Sequence, residues 1–509
     1  MKKLKKFPAS GLVTAALVAA VMFSGAVLAA AQTDSTTSGT RTRYPREAIL
    51  STSPAVTFKT LVNFNGTNGA NSHRPPIQGP DGNLYGTTLG GGKYGQGVLF
   101  TMTPTGKKQA LLYSFCSQTG CTDGSGPGAL GLGADGNFYS GAESGGMFGY
   151  GTIFKFTGSG TPITLHDFDG TDGARLYDRM VQLGDDNFYG TTPYGGNLGE
   201  CAEGPGCGTV FQMTPSGTLT TLHDFCSLPD CADGAVLYES LALGTDGNFY
   251  GATWAGGSAA DAGTVFTITP TGTLTTIYTF CVDGYPFCGG PGALGPALGR
   301  HGDFYGTTAF GGAYGEGSIF KITPQGKLTT IYSFCAQIAC TDGSDARSGV
   351  ILGSDGNLYG TTYYGGTYNE GTVFRITPAG VLTTLHSFDG TDGYYPIGEM
   401  FQATNGVFYG QTTLGGSGAD GTIFSVSLGL RPFVQTAPTS GTVGTNLIIL
   451  GNKLKGTTGV TFNGTAAVFT VVSSSEITAT VPSGATTGPV QVTTPTVTLT
   501  SNVNFLVMP

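Results

Sequence analysis

Asp355–Phe388 reads DGNLYGTTYYGGTYNEGTVFRITPAGVLTTLHSF, and the rest of the chain is organised around copies of this stretch. Three markers recur seven times: a Tyr shortly after an Asp-Gly-Asn type of turn, a Phe after Gly-Thr, and a Phe that ends an apolar segment. The Tyr marker lies at Tyr85, Tyr139, Tyr189, Tyr250, Tyr305, Tyr359 and Tyr409. Self-similarity at such regular spacing is the signature of a repeat architecture.

Each copy divides into four short apolar segments separated by Gly, Pro, Asn or Asp. In the fourth copy the segments are Ser240–Gly244, the stretch from Asn248, Thr264–Thr269 and Leu274–Phe280. β-Branched and aromatic residues dominate these segments, as they do in strands. Alternation along the third segment places Phe266 and Ile268 on one face and Val265 on the other, so both faces are apolar. Four-stranded units of this length predict propeller blades, and we expect an all-β, seven-bladed β-propeller over residues 55–429.

The order of the markers predicts how the ring closes. The Phe that ends the fourth segment appears at Phe64, before any first strand, and is missing after Phe424. The strand Phe58–Phe64 is therefore expected to complete the last blade as its outermost strand. Such closure removes the exposed sheet edges that otherwise promote aggregation.

The N-terminal residues 1–31 have the features of a secretory signal. Lys2–Lys6 is basic, Leu12–Leu28 is apolar and rich in Ala, and the small residues Ala29 and Ala31 permit cleavage before Gln32. An uncleaved membrane anchor is the alternative interpretation. Residues 32–54 are polar and rich in Ser and Thr, and are predicted to be a disordered linker.

Composition and net charge argue against some classes of binding partner. The chain has 509 residues and a formal net charge of −9, with no basic patch. This balance argues against nucleic acid and against anionic membrane surfaces as partners. We expect a secreted monomer, extracellular or at the cell surface, without membrane insertion after signal cleavage.

The ten cysteines form five close pairs. They are Cys116/Cys121, Cys201/Cys207, Cys226/Cys231, Cys281/Cys288 and Cys335/Cys340. Paired cysteines behind a signal segment predict disulfides within each pair. Metal binding is the alternative, but no His or second Cys pair stands at a zinc-ligand spacing along the sequence, so no metal site is predicted.

One face of the propeller is expected to carry function. The loops between fourth and first strands, and between second and third strands, share a face and vary in length, whereas the opposite turns are uniform. Candidate ligand residues there are the Asp-Gly aspartates and their Asn equivalent, with exposed tyrosines for stacking: Asn68, Asp123, Asp172, Asp233, Asp342, Asp392, Tyr94, Tyr314 and Tyr368. Asp283 lies inside its Cys loop and is a weak equivalent.

These side chains suggest two interpretations. A ring of carboxylates around the channel mouth suits calcium or sugar hydroxyls, and no other cofactor is expected. The simpler interpretation is that Asp-Gly is good turn chemistry, because Gly accepts positive φ.

Catalytic motifs are not found. The chain has no G-x-S-x-G elbow, phosphate loop or H-E-x-x-H. His166, His223 and His386 occupy a fourth-strand position that other copies fill with Tyr or Val, which indicates packing. His301 replaces a turn Asp, and His73 lies in a loop beside Arg74. No catalytic residue is predicted.

The C-terminal residues 430–509 lack the repeat markers and alternate as short strands, which indicates a small β-sandwich of immunoglobulin size. The segment resembles the IPT/TIG family of immunoglobulin-like domains. The resemblance rests on Gly441-x-x-Gly444, Leu450-Gly451, Val460-x-Phe462-x-Gly464, Ile477-x-Ala479-x-Val481-Pro482 and Gly488-x-Val490-x-Val492. It implies an accessory, spacer or protein-interaction module.

The repeats themselves resemble the bacterial GloVer-type tandem repeats, whose proteins vary in their surface anchor. The LYGTT or FYGTT, Gly-Gly and GT[VI]F segments carry this resemblance over roughly Phe58–Leu428. It implies a secreted protein and supplies no established catalytic residues. Phe505–Pro509 is neither an apolar tail nor a sorting motif, so direct C-terminal anchoring is not expected.

Two classes of function follow from the sequence. The first is a secreted, non-catalytic binding or adhesion scaffold that recognises an extracellular glycan or protein through the loop-rich face. The alternative is an extracellular propeller enzyme, a hydrolase or lyase acting on a polysaccharide. If the protein is an enzyme, we expect its site to contain converging acid and base groups with perturbed pKa values. If it is a binding protein, we expect aromatic and polar groups without such a cluster.

Overall fold

The structure is a computed structural model that describes residues 56–158, 160–196, 201, 206–258, 261–281 and 293–509. The predicted signal segment, the predicted linker, Asp283 and Cys288 lie outside these residues. The described part is all-β, with three short 3-10 helices at Thr119–Cys121, Pro229–Cys231 and Ile338–Cys340. No helix in this part of the chain is long and apolar enough to cross a bilayer.

Seven antiparallel sheets follow one another along the described chain in a β-propeller-like series. They are numbered here as sheets 1 to 7, and their strands are given from first to fourth. Sheet 1 consists of Ile77–Gln78, Leu84–Thr88, Val98–Met102 and Gln109–Ser114. Sheet 2 consists of Gly131–Leu132, Phe138–Ser144, Thr152–Phe156 and Ile163–Asp167. Sheet 3 consists of Val181–Gln182, Phe188–Thr192, Thr209–Met213 and Leu219–Asp224. In sheet 2, Ser125–Pro127 also pairs with the second strand.

The remaining sheets repeat this order. Sheet 4 consists of Ala242–Leu243, Phe249–Ala252, Thr264–Ile268 and Leu274–Thr279. Sheet 5 consists of Ala293–Leu298, Phe304–Thr308, Ser318–Ile322 and Leu328–Ser333. Sheet 6 consists of Ile351–Leu352, Leu358–Thr362, Thr372–Ile376 and Leu382–Ser387. Sheet 7 is Phe401–Gln402, Phe408–Thr412, Thr422–Ser427 and, as its fourth strand, Thr57–Asn63.

The N-terminal strand completes the last sheet, as the marker order predicts. Thr57–Asn63 runs antiparallel to Thr422–Ser427, with Thr57 opposite Ser427 and Asn63 opposite Thr422. Residues from the two ends of the repeat region therefore share one hydrogen-bonded ladder.

Apolar clusters join each sheet to the next. In sheet 4, Phe266 and Ile268 pack towards sheet 3, while Val265 packs towards sheet 5, so the predicted division of faces is confirmed. One of these clusters contains Val62 and Ile423 of sheet 7 together with Phe100 of sheet 1. The core is thus divided among the sheet interfaces.

A Gly follows six of the seven marker tyrosines, and Ser140 follows Tyr139. Each of these six glycines lies against the Phe of the third strand. A Cβ added at Gly410 would lie 2.3 Å from Cζ of Phe424, and one at Gly360 would lie 2.7 Å from Cζ of Phe374. Glycine at this position lets the aromatic ring fill the interface.

The C-terminal part contains two further four-stranded sheets. In spatial order they are Gln435–Ala437, Asn446–Leu450, Glu476–Thr480, Phe469–Val471; and Thr465–Ala466, Gly459–Phe462, Val490–Thr493, Thr498–Thr500. Ser440–Gly441 and Leu506–Val507 form a short parallel pair. Apolar side chains of both four-stranded sheets meet in one core.

This C-terminal part rests on the turns between first and second strands. Ser475 Oγ donates a hydrogen bond to Pro80 O (2.7 Å), and Asn452 Nδ2 donates one to Thr404 Oγ1 (2.6 Å). These contacts cover the side of the sheets opposite to the variable loops.

Candidate functional site

The variable loops form one continuous surface, called here the loop face. Among the described residues, loops leading into first strands are hydrogen-bonded to loops between second and third strands. Arg175 N donates to Tyr150 O (2.9 Å), and Tyr395 N donates to Glu370 O (3.1 Å). The predicted grouping of these loops on one side is therefore present in the hydrogen-bond network.

The Asp-Gly aspartates have local partners on the loop face. Their carboxylates accept hydrogen bonds from main-chain N–H groups a few residues earlier, for example Asp123 from Ser117 N (2.8 Å) and Asp342 from Ala336 N (2.9 Å). Asn68 holds its own loop in the same way, because Asn68 Oδ1 accepts from Asn65 N (2.9 Å). These contacts match the simpler, turn-forming interpretation, and a ligand at these residues stays a prediction.

The same aspartates bind the fourth strand. Five of them pair with the His or Tyr at one position: Asp123 with Tyr113 (2.7 Å), Asp172 with His166 (2.6 Å), Asp233 with His223 (3.0 Å), Asp342 with Tyr332 (2.7 Å) and Asp392 with His386 (2.6 Å). The carboxylates are thus hydrogen-bonded to fourth strands, and their arrangement around the channel mouth stays a prediction. The His position is a hydrogen-bonding position as well as a packing position.

Burial and hydrogen bonding compete at these carboxylates. Burial alone would raise the pKa of Asp233, but hydrogen bonds from His223 and Ser227 outweigh it and hold the pKa below its usual value. The same balance, with bonds from Tyr113 and Ser117, lowers the pKa of Asp123. At neutral pH these two carboxylates are therefore ionised, and they hold their loops in place through hydrogen bonds.

The predicted stacking tyrosines are exposed. Tyr94, Tyr314 and Tyr368 are 41%, 54% and 61% exposed, and all three lie in loops between second and third strands. They belong to the loops of sheets 1, 5 and 6. Their role as ligand contacts stays a prediction.

A buried set of ionic side chains, the charged cluster, lies beneath the loop face. Its members are Arg74, Asp178, Arg179, Glu239 and Glu399. Arg74 Nη1 lies 3.8 Å from both Asp178 Oδ2 and Glu239 Oε1, and Arg179 Nη2 lies 3.0 Å from Glu399 Oε2. The Asp178 and Glu239 side chains are only 9% and 4% exposed. Four loops, those entering sheets 1, 3, 4 and 7, converge here.

The two carboxyl groups beside Arg74 differ in their proton affinity. Burial and the negative charge of Asp178 raise the pKa of Glu239 well above its usual value. Burial would also raise the pKa of Asp178, but Arg74 and Arg179 outweigh it and lower that pKa. The pKa values of these neighbouring carboxyl groups are therefore shifted in opposite directions.

Neighbouring groups extend the charged cluster. Burial raises the pKa of Glu143 to about 7, against the opposing charges of Arg74 and Arg175. Burial and Arg74 lower the pKa of His73 to about 4, so this imidazole is neutral.

The loops of the loop face also carry two groups of aromatic side chains. The first aromatic cluster consists of Tyr177, Tyr194, Tyr238 and Trp254. The Tyr194 and Tyr238 hydroxyls are 3.0 Å apart, and Trp254 meets Tyr238 edge to face with ring centroids 5.6 Å apart. Arg74 Nη2 donates to Tyr238 O (3.2 Å), which links this cluster to the charged cluster.

The second aromatic cluster lies between sheets 6 and 7. It consists of Tyr363, Tyr364, Tyr394 and Tyr395. Tyr363 stacks on Tyr395 with ring centroids 4.6 Å apart, and the Arg347 guanidinium lies 4.2 Å from the centre of the Tyr363 ring. Aromatic rings beside polar groups are the usual composition of a ligand surface.

A cavity lies on the other side of the charged cluster. Its volume is about 1080 Å³, and residues of the first strands of all seven sheets line it, together with C-terminal residues such as Phe433 and Asn502. Arg179 and Glu399 also line it. Two members of the charged cluster therefore border this space.

The disulfide prediction is supported wherever both cysteines are described. Disulfides join Cys116 to Cys121, Cys201 to Cys207, Cys226 to Cys231 and Cys335 to Cys340. Four disulfides indicate an oxidising, extracellular environment. Among described residues, the sulfurs of Cys201, Cys207, Cys226 and Cys231 lie within 4.8 Å of one another, although their spacing along the sequence gives no zinc motif. All four are in disulfides, so they are not free thiolate ligands.

Sequence reasoning missed the charged cluster, although a signal for it exists. Arg74, Asp178 and Glu239 each stand eleven residues before the marker Tyr of their copy, and Arg179 and Glu399 stand ten before it. Other copies carry Gly, Ser, Ala, Pro or Leu at these two positions. Aligning the copies on the Tyr therefore reveals ionic residues where the repeat itself requires none.

Comparison with known proteins yields one family and a set of distant folds. The family model described as Gloeobacter/Verrucomicrobia repeat matches residues 31–227 and 289–472. No curated protein matches the sequence.

Among solved structures, a fungal alcohol oxidase of the AA5 family, in complex with copper, is similar at 11% identity and TM-score 0.51, covering 90% of this chain and 100% of its own. A putative gluconolactonase matches at 12% identity and TM-score 0.40, covering 75% and 96%. A gluconolactonase from Xanthomonas campestris matches at 13% identity and TM-score 0.36, covering 73% and 89%. Identities this low are informative about fold alone.

Proposed function

Because the chain belongs to the Gloeobacter/Verrucomicrobia repeat family, we propose that it is a secreted, non-catalytic binding scaffold that recognises an extracellular glycan through the loop face. The observation that carries the proposal is the pair of aromatic clusters on the loop face, the first of which is hydrogen-bonded to the charged cluster. Sugar rings present apolar C–H faces and polar rims, so aromatic faces beside charged and hydroxyl groups suit them.

The architecture we infer for this scaffold is a closed seven-bladed propeller over residues 55–429 with an IPT/TIG immunoglobulin-like domain over residues 430–509. Two features support it: the apolar cluster between sheets 7 and 1, and the ladder between Thr57–Asn63 and Thr422–Ser427. A ring of this kind has a rigid rim on which loops can vary without loss of the core.

A glycan array probed with the secreted chain tests the proposal. We expect binding to a defined group of oligosaccharides, weakened several-fold by Trp254→Ala and by Tyr363→Ala, because each removes a ring worth about 0.5–1.5 kcal/mol of stacking. Met147→Ala is the matched control, because Met147 is 73% exposed on the loop face but belongs to neither aromatic cluster. Absence of any glycan binding, or equal losses in the control, would count against the proposal.

The enzyme alternative gains one specific observation. Asp178 and Glu239 are adjacent carboxyl groups whose pKa values are shifted in opposite directions, a pattern associated with acid and base pairs. Turnover of polysaccharides or chromogenic glycosides that is abolished by Glu239→Gln and retained by Arg300→Gln would establish this alternative. Binding without turnover favours the scaffold.

A further inference from the structure

Resting on the proposed glycan-binding function, we propose that the first aromatic cluster selects an acidic glycan, and that Arg175 binds the anionic group of its sugar. The anionic group is a uronate carboxylate or a sulfate ester, which share the chemistry that a guanidinium recognises. Arginine presents several N–H donors in a planar fork that fits such oxyanions.

Arg175 is placed beside the aromatic rings and remains open to solvent. Its guanidinium lies 5.2 Å from the centre of the Tyr194 ring, and its side chain contacts the Tyr177 hydroxyl. The residue is exposed, and no carboxylate of the described residues lies within 4 Å of its guanidinium. A cation stacked on a ring and free of a carboxylate partner can bind an anion without first breaking an ion pair.

The backbone at Arg175 belongs to the repeat, whereas its side chain does not. Arg175 has a φ of 61°, and Asn71, Val236, Asp345 and Tyr395 have φ between 53° and 60° at the equivalent loop position. The left-handed conformation is therefore a shared structural feature, held at Arg175 by the bond from its N–H to Tyr150 O. An arginine at this position is specific to the loop entering sheet 3.

The second aromatic cluster provides an internal contrast. Arg347 also lies over a tyrosine, but its Nη2 is 2.7 Å from Asp345 Oδ2 and its Nε donates to the same oxygen at 2.8 Å. The charge of Arg347 is therefore already neutralised within the protein. Of the two arginines stacked on the aromatic clusters, Arg175 is the one with charge available for a ligand.

Local charge also favours an anion at moderately low pH. Glu143 interacts electrostatically with Arg74, Arg175 and Tyr177, and the pKa of Tyr177 is raised to about 12, so Tyr177 stays neutral. Since the pKa of Glu143 is about 7, its carboxyl becomes neutral below that pH. The positive charge of Arg175 is then less compensated, while uronates and sulfate esters stay ionised.

Calorimetric titration of the full secreted chain tests this inference. The probes are oligogalacturonate, its methyl-esterified form, a sulfated oligosaccharide and neutral cello-oligosaccharide. We expect at least one anionic probe to bind about tenfold or more tightly than the neutral probes, a preference that Arg175→Gln removes. The affinity should rise as the pH falls from about 8 to about 6, and Glu143→Gln should flatten this dependence.

Lys93→Gln is the matched control, because Lys93 lies 5.1 Å over the exposed Tyr94 ring on another part of the loop face. Retention of the acidic preference in Arg175→Gln, or an equal loss in Lys93→Gln, would overturn the role of Arg175. Equal binding of neutral and acidic probes by the wild type would overturn this inference while leaving the proposed glycan-binding function in place. Binding of neither the present probes nor any glycan on the array would overturn both.

Discussion

Glu143 provides a direct test of the electrostatics beneath the loop face. Its carboxyl is held near Arg74 and Arg175, yet burial dominates and raises its pKa from 4.5 to about 7. The folded state therefore binds the proton of Glu143 more tightly than the unfolded chain does. Glu143→Gln keeps the shape of the side chain and removes the ionisation.

The expected magnitude follows from linkage. A rise in pKa from 4.5 to about 7 corresponds to about 3 kcal/mol, because one pKa unit equals about 1.4 kcal/mol. Partial solvent access makes this an upper limit, so about 1–3 kcal/mol is expected. Below the unfolded pKa the proton is bound in both states and ionisation costs nothing. As the pH rises through the folded pKa, the wild type loses this free energy and the variant does not.

Urea unfolding of both proteins at a series of pH values measures the effect. The difference in unfolding free energy between Glu143→Gln and wild type should be small and constant below about pH 4.5 and should grow to about 1–3 kcal/mol in favour of the variant by about pH 8. Asp135→Asn, in the exposed turn that precedes the same strand, is the control for general charge removal. A difference that is independent of pH, or that favours the wild type at high pH, would refute the reasoning.

Three further predictions concern the framework. Deleting Thr57–Asn63 should lower stability by at least about 3 kcal/mol, since Val62 and Phe58 lose their packing; an unchanged melting temperature would show that this strand does not close the sheet. Gly410→Ala should lower the free energy of unfolding in urea by about 1–3 kcal/mol, because the added Cβ would lie 2.3 Å from the Phe424 ring. Gly444→Ala is the comparison: its added Cβ would meet no atom within 4 Å, so any loss there reports the cost of positive φ alone. Asp233→Asn should destabilise the loop by about 1–3 kcal/mol near neutral pH and by less in acid, because the pKa of Asp233 is held low; equal losses at both pH values would contradict this.

The sheets were predictable from the sequence because every copy has the same pattern of apolar segments and turn residues. Strand faces in sheet 4, the completion of sheet 7 by Thr57–Asn63 and the local disulfides all follow from patterns that are repeated or adjacent. Alternation and turn residues act over a few positions, so one copy confirms another. The hydrogen bonds between the Asp-Gly aspartates and the fourth strands were harder to predict, although the sequence contains a signal for them. Copies with His or Tyr at the fourth-strand position have an Asp in the following loop, whereas the copy with Val62 has Asn68.

The candidate site was not predictable by the same means, because it consists of what the copies do not share. Arg74, Asp178 and Glu239 come from three loops that are far apart in sequence and meet only when the sheets are arranged. Arg175 likewise differs from its equivalents only in its side chain. Periodicity identifies common structure, whereas a ligand surface depends on departures from it.

Titration of Trp254→Ala with the oligosaccharide that the wild type binds tests the central claim most directly. Trp254 meets Tyr238 edge to face in the first aromatic cluster, and its main-chain N–H bond to Val236 O does not depend on the side chain. The account predicts that calorimetry of the folded variant will show affinity reduced about threefold to tenfold. Unchanged affinity in a folded Trp254→Ala variant would contradict the claim that this face binds the glycan.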